Sequence, residues 1–367
     1  MKKFGKILFI DRDILTFDQD AGSYIAFEYL KILNELCEEL LFWPYLQNTT
    51  EPYLSLMKRM GINVCYDISF RRFYDQRCKD IDIIFTSRPD ITYPYINILK
   101  QNPKARIFYI GHDLHYLREK REERLKGVEV FDSKFKYMKN QEEFIIKNVT
   151  CSLYFSQTEI NLVKNNLQNA NLEVIPWIQP INEKVTYKEF CNRKIITFLG
   201  GFSHSPNKDA VLWFINDILP LIKKHEPQIN LYIVGSNPPD EILRLGNEQI
   251  KVIGHVSEDQ LATIFNDSRI FISPLKFGAG FKGKIAKAMS FGLPVLTTSI
   301  GAEGIGLEDG QTALIANNEQ TFCEKFLILY NNENLWKRIS KNSLEHIEKH
   351  YTIQNAKSKI IKILEQS

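Results

Sequence analysis

The stretch Phe277–Pro294, FGAGFKGKIAKAMSFGLP, gathers the residue types that can bind an anion. Gly278 and Gly280 let the backbone come close to a ligand, and Lys282 and Lys284 add two ammonium groups where a helical pattern begins. An apolar run, Ile270–Ile272, precedes this loop, and a second, Val295–Thr298, follows Gly292 and Pro294. A strand, a glycine loop, a helix start and another strand place backbone N–H groups and a helix dipole toward an anion such as a diphosphate. Lysines there add charge-assisted hydrogen bonds. The same residues also fit an ordinary turn with solvent-facing lysines. Two further loops share the anion-friendly character. Gly22-Ser23 precedes a helical pattern from Ile25 to Leu36, and Gly200-Gly201 follows an apolar run. Ser23 could equally cap its helix. A different chemistry is offered by GHDLHYLR, residues 111–118. His112 can hydrogen-bond a sugar hydroxyl there and Asp113 can fix the imidazole's orientation, or the histidine can pack in the core or cap a helix.

These residues need a scaffold, and the apolar pattern supplies one. Short strand-like runs at Lys6–Asp11, Leu40–Trp43, Ile62–Tyr66, Ile81–Ser87, Arg106–Ile110, Cys151–Phe155 and Leu172–Ile175 alternate with helical patterns. The helical patterns include residues 91–100 and 129–148, and Ser156-Gln157-Thr158-Glu159 has the form of a capping box. Residues 183–193 are polar and irregular and read as a linker. A second series follows, with strands predicted at 194–199, 231–234, 250–253 and 270–273 and a helix over 209–224. The tail from Thr321 is helical. Strands alternating with helices predict parallel sheets covered on both faces, and ligands in such sheets sit at the carboxyl ends of the strands.

A chain of 367 residues suits two domains, and 44 % hydrophobic with 25 % charged residues is a folded, globular composition. A net charge of +3, with Lys and Arg spread along the chain, gives no case for nucleic-acid binding. The six cysteines form no CxxC and no metal spacing with the seven histidines, so free thiols in a reducing compartment are expected. The start MKKFGKILFIDRD reads as a first strand and not as a signal peptide, and no apolar run reaches membrane-spanning length. The expectation is a cytoplasmic protein, or one peripheral on the cytoplasmic face of a membrane. Phe70, Phe73 and Tyr74, among Arg71, Arg72 and Arg77, could meet an acceptor or anionic lipid, or form a plain surface loop.

The second half resembles the glycosyltransferase family 4 (glycosyl transferases group 1) domain. FLGGFSHSPNKDAVLWF, PLKFGAGFKGKIAKAMSFGLPVLTTS and IGAEGIGLEDG carry the likeness. DQDAGSY, IDIIFTSRPD and GHDLHYLREKRE in the first half are similar to members of the family associated with surface-polysaccharide synthesis. The resemblance implies a GT-B fold, two doubly wound Rossmann-like domains facing across a cleft. Residues 1–185 would form the acceptor-side domain and 186–350 the nucleotide-sugar domain, with a final helix, 351–367, packing back on the first. It implies transfer of a sugar, with retention, from a nucleotide-sugar to a glycan, lipid-linked or protein acceptor. No cofactor and no metal are implied, so the protein itself must stabilise the departing diphosphate, for which one ammonium supplies on the order of 2–4 kcal/mol. Donor contacts would come from Gly22, Ser23, Gly200, Gly201, Asn207, Gly280, Phe281, Lys282, Gly283, Lys284 and Glu303, and the catalytic group from His112, Asp113 and Lys282. Closure of the two halves would exclude water.

Three departures from the family pattern stand out. Ala279 and Lys287 occupy the places of two glutamates, the second of which usually meets the donor ribose. Gly201 and Asn207 occupy the places of an Arg and Lys pair, with Lys208 one position off. Glu303 could replace the ribose acceptor, and Lys282 and Lys284 the missing cations. The departures keep open a second reading, a catalytically silent partner of an active glycosyltransferase. A sugar-nucleotide epimerase is a third, although the glycine loops offer few carboxylates for it.

Overall fold

The computed structural model describes residues 4–127, 133–182 and 189–366. The chain divides into two compact units, Met1–Pro176 with Ala356–Ser367, and Trp177–Asn355. The division falls at Pro176/Trp177, earlier in the chain than the expected 185/186. Part of the predicted linker, 183–188, lies outside the described residues. Its far end is not a linker at all. Arg193 is buried and its Nη1 donates to the carbonyls of Phe265 and Ser268 at 3.2 and 3.1 Å, which ties it into the second unit.

Unit 1 is built on strands β1 (Phe4–Asp11), β2 (Cys37–Pro44), β3 (Asn63–Val64), β4 (Ile83–Ser87), β5 (Arg106–Gly111), β6 (Cys151–Tyr154) and β7 (Leu172–Val174). They form one parallel sheet in the order β3-β2-β1-β4-β5-β6-β7. Ile7, Leu8, Phe9 and Ile10 are all fully buried, as expected of a central parallel strand covered on both faces. Unit 2 has β8 (Ile195–Leu199), β9 (Asn230–Val234), β10 (Ile250–Gly254), β11 (Ser268–Ser273), β12 (Val295–Thr297) and β13 (Leu314–Ile315), in the order β10-β9-β8-β11-β12-β13. This sheet is parallel too. In each sheet the strand order reverses beside the first strand, between β1 and β4 and between β8 and β11. Such switch points open a crevice at the carboxyl ends of the strands.

The helices depart from the sequence pattern where a local rule intervenes. Residues 91–100 are not one helix but two short ones, Pro89–Thr92 and Ile96–Leu99, because Pro94 has no N–H to continue the helix and its ring clashes with the carbonyl four residues back. The helix predicted over 209–224 starts earlier, at Ser205, with Pro206 in its first turn. It widens into a π-turn at Phe214–Ile218 before Pro220, whose ring would clash with the carbonyl four residues back in a regular helix. The capping box expected at Ser156–Glu159 does not form. Ser156 makes no side-chain cap, and Glu159 accepts the Leu114 N–H at 2.8 Å. A capping box forms instead between Ser257 and Gln260. Residues 129–132 of the helix predicted to start at 129 lie outside the described residues, and the helix is described as Ser133–Asn148. Phe70, Phe73 and Tyr74 lie on the helix Phe70–Arg77 and are buried, Phe73 stacking on Trp43 at 4.7 Å. They are core residues and do not form a surface loop. No helix among the described residues is long and apolar enough to cross a membrane.

Candidate functional site

In unit 2 the switch point is lined by three glycines that the backbone requires. β8 ends at Gly200-Gly201 and β9 at Gly235. A Cβ on Gly235 would lie 2.0 Å from the Gly200 carbonyl oxygen, and a Cβ on Gly200 would lie 2.7 Å from the Asn207 side chain. The strand ends are therefore pressed together, and only glycine fits. Asn207, in the first turn of the helix Ser205–Trp213, donates from Nδ2 to the Gly201 carbonyl at 2.7 Å. Its Oδ1 accepts from Lys284 Nζ at 2.5 Å. The ammonium also stands 4.8 Å from the centre of the Phe198 ring. Burial, and then the neighbouring Lys282 ammonium, bring the Lys284 pKa down to about 7.

Lys282 lies at the start of the helix Gly283–Met289, and its Nζ donates to the carbonyls of Gly280 and Ala279 at 2.6 and 3.3 Å. Gly280, with φ +70°, makes the turn that allows this. The loop is held from below by aromatic rings. Trp177 stacks on Phe281 at 4.8 Å, Tyr351 meets Phe281 edge-on at 5.2 Å, and a Cβ on Gly283 would lie 2.7 Å from the Trp177 ring. Tyr351 Oη in turn donates to the Ile305 carbonyl at 2.6 Å. The aromatic support thus also reaches the loop after Glu303, which itself ends the short helix Ser299–Ala302 and is half-buried. Lys287 is directed elsewhere and pairs with Glu258 at 2.6 Å. Lys208 pairs with Glu241 on the surface at 2.6 Å.

Unit 1 places its polar residues at its own switch point. The N-cap of the helix Ala21–Leu36 is Asp20, not Ser23. Asp20 accepts both the Ser23 N–H, at 2.8 Å, and the Ser23 hydroxyl, at 2.6 Å, so the two donors expected to meet a phosphate are already occupied. A Cβ on Gly22 would lie 2.7 Å from Arg88 Nη2, the far end of a flexible side chain. His112 follows β5, half-buried, with its ring 6.1 Å from that of Phe155. Burial and the Arg88 charge push its pKa down to about 4, so the imidazole is neutral at pH 7. Asp113 does not hold His112. Its carboxylate pairs with His115 Nε2 at 3.0 Å and with Arg118. Five residues were not read from the sequence. Arg88 and Phe198 lay inside family-like stretches but were not singled out, Asp11 and Tyr351 carried no local motif, and Trp177 was hidden beside a proline next to the supposed linker. Among the described residues no three His, Cys, Asp or Glu side chains are grouped to hold a metal ion.

Residues 193–332 match the family model described as Glycosyl transferases group 1. Unit 2 carries a glycosyl transferases group 1 domain. That domain spans the Gly200-Gly201 turn, Asn207 and the Lys282–Lys284 loop. Over 199 residues the chain is 30 % identical to an uncharacterized 44.6 kDa protein in the cps region of Klebsiella pneumoniae, covering 51 % of this chain and 50 % of that one. The chain spans about half the length of the curated relatives it matches. Among solved structures, HepE of Anabaena in complex with UDP superposes with a TM-score of 0.75 at 13 % identity, covering 99 % of this chain and all of that one. The sucrose-phosphate synthase of Thermosynechococcus elongatus gives 0.73 at 12 % identity, with 98 % of both chains covered. At these identities the likeness shows the fold, and the fold is GT-B.

Proposed function

We propose that this chain is a retaining glycosyltransferase whose group 1 domain holds the diphosphate of a nucleotide-sugar. The observation that carries the reading is Lys284. Its ammonium is desolvated, is held by a neutral amide of Asn207, and stands beside a second ammonium at the carboxyl end of a glycine-lined switch point. A diphosphate would give the Lys284 ammonium the counter-charge that the Asn207 amide does not supply, and the charge that builds on it as the sugar departs would be stabilised there without a metal. Gly200, Gly201 and Gly280 let the backbone approach, while Phe281 and Gly283 fix the loop on Trp177. Neutral His112 in unit 1 can hydrogen-bond a sugar hydroxyl. The HepE structures with UDP, with UDP and glucose, and with UDP-glucose support a nucleotide-sugar donor. The cps-region relative supports an acceptor in surface-polysaccharide synthesis, glycan, lipid-linked or protein.

The Lys287–Glu258 pair favours a second reading, a silent partner subunit, because a cation stands where the family has the glutamate that meets the ribose. Nucleotide release from UDP-, GDP-, dTDP- and CMP-sugars separates the two. Turnover of one donor, falling about 10²- to 10³-fold in Lys284→Ala, is the expected result. No release from any donor, together with no thermal shift by any nucleotide, would leave the silent-subunit reading.

A further inference from the structure

The loops after β8 and β11 meet at the switch point of unit 2, because these two strands are neighbours in the sheet. A bond crosses between them, from Lys284 Nζ to Asn207 Oδ1, over 77 residues of sequence. Asn207 is 6 % exposed and lies flat on the Gly200-Gly201 turn, where a Cβ on Gly200 would be 2.7 to 2.9 Å from its amide atoms. The two ends of the amide face different chemistry. Nδ2 donates to the Gly201 carbonyl, and Oδ1 accepts from the ammonium. A carbonyl only accepts and an ammonium only donates, so the amide can stand in one orientation alone. No carboxylate or hydrocarbon of the same shape serves both ends.

The neutral partner is the unexpected part. Lys208, Lys276 and Lys287, whose side chains are 21 to 44 % exposed, each pair with a carboxylate, of Glu241, Asp209 and Glu258. Burial makes pairing of a charge more necessary, yet the desolvated ammonium of Lys284 is given an amide. A carboxylate at 207 would neutralise the ammonium and repel an incoming anion. The amide does neither. It fixes the ammonium over the turn and leaves its charge and its further N–H donors to a ligand oxygen.

We propose that Asn207 is the positioning residue of the diphosphate site, holding the Lys284 ammonium at the Gly200-Gly201 turn without cancelling its charge. The property selected at 207 is neutrality and not shape alone. This deepens the reading of unit 2 as the diphosphate-holding domain of a transferase, and it rests on that reading.

The probe is inorganic pyrophosphate, titrated by calorimetry into the full chain. It carries no base and no sugar, so the result does not depend on the donor. Asn207→Asp keeps the shape and adds a charge, whereas Asn207→Ala removes the side chain and adds none. Affinity should fall several-fold in Asn207→Ala and about tenfold further in Asn207→Asp. A purely structural role predicts the opposite order, because aspartate is the closer match in shape. Asn207→Asp binding as tightly as Asn207→Ala, or more tightly, would overturn the proposal, and so would a native chain that does not bind pyrophosphate. If Asn207→Asp does not fold, moving the cation replaces it. A lysine side chain at 207 would extend two bonds beyond the place of Oδ1, about 2.5 Å, and Lys284 Nζ stands at that distance from Oδ1. Asn207→Lys combined with Lys284→Ala should therefore recover most of the affinity lost in Lys284→Ala, and no recovery in a folded double variant would sink the proposal. The expected order with pyrophosphate, without turnover of any nucleotide-sugar, would keep the role of Asn207 and end the transferase reading. Donor turnover unaffected by Asn207→Asp would do the reverse.

Discussion

The two switch points have the same topology and opposite electrostatics. In unit 2 a buried ammonium bonds a neutral amide and faces another ammonium. In unit 1 a guanidinium of similar burial is neutralised by Asp11. Lys284 meets a neutral amide where Arg88 meets a carboxylate. The second arrangement is complete in charge. The same strand-end crevice can thus be given opposite charge balance by one choice, whether the buried cation is given a carboxylate.

The sharpest way to break this contrast is to remove each cation and measure stability. Arg88→Gln leaves the Asp11 carboxylate buried and unpaired, and chemical denaturation should show a loss of about 3 kcal/mol. Lys284→Gln removes a desolvated charge that had no counter-ion, so unit 2 should be unchanged or more stable. Equal losses in both variants would mean that the two sites do not differ in charge balance. Gly235→Ala tests the close contact that defines the unit 2 crevice. A methyl group 2.0 Å from the Gly200 carbonyl forces the strand ends apart, at about 1–3 kcal/mol, with nucleotide affinity falling in the same variant.

Proton uptake sharpens the comparison further. Lys284 has a lower pKa in the fold, about 7, than its ordinary 10.5. It therefore opposes folding below pH 7, and that penalty is relieved as pH rises from 7 toward 10.5. A bound diphosphate should raise the pKa again. Binding of UDP should then take up about half a proton near pH 7 and approach one by pH 9. Calorimetry in buffers of different ionisation enthalpy reads this directly, and Lys284→Arg should abolish it. The smallest effect is expected at Lys287. Its bond to Glu258 is a partly exposed pair, so Lys287→Ala should alter stability by no more than about 0.5 kcal/mol.

What was legible in the sequence was local. The glycine loop and both lysines of 278–284 lie within a few residues of one another, and the parallel sheets followed from runs such as Ile7–Ile10. Asn207 was visible only through the family pattern, because its partner Lys284 is 77 residues away. Arg88 and Asp11 are also 77 apart, and nothing local links them. The misreadings share a cause. Ser23 had the right type for an N-cap, but Asp20 competed for the same backbone donor. Glu159 had the right spacing for a capping box, but the Leu114 N–H claimed it. Asp113 was adjacent to His112 in sequence and was captured by His115 and Arg118 in the fold.

The last helix, Ile353–Gln366, has a consequence for the order in which the chain is made. Residues from Ala356 onward belong to unit 1, where Ile360, Ile363 and Leu364 are buried. There the Leu364 carbonyl accepts from Arg106, and Lys357 and Lys359 pair with Glu35 and Glu173. During synthesis the N-terminal unit must therefore wait. All of unit 2 leaves the ribosome before the segment that completes unit 1 is available. The usual vectorial order, first domain finished first, is inverted here. The nascent chain carries an unfinished unit 1 throughout the translation of unit 2, and this interval is when a holding chaperone would matter most.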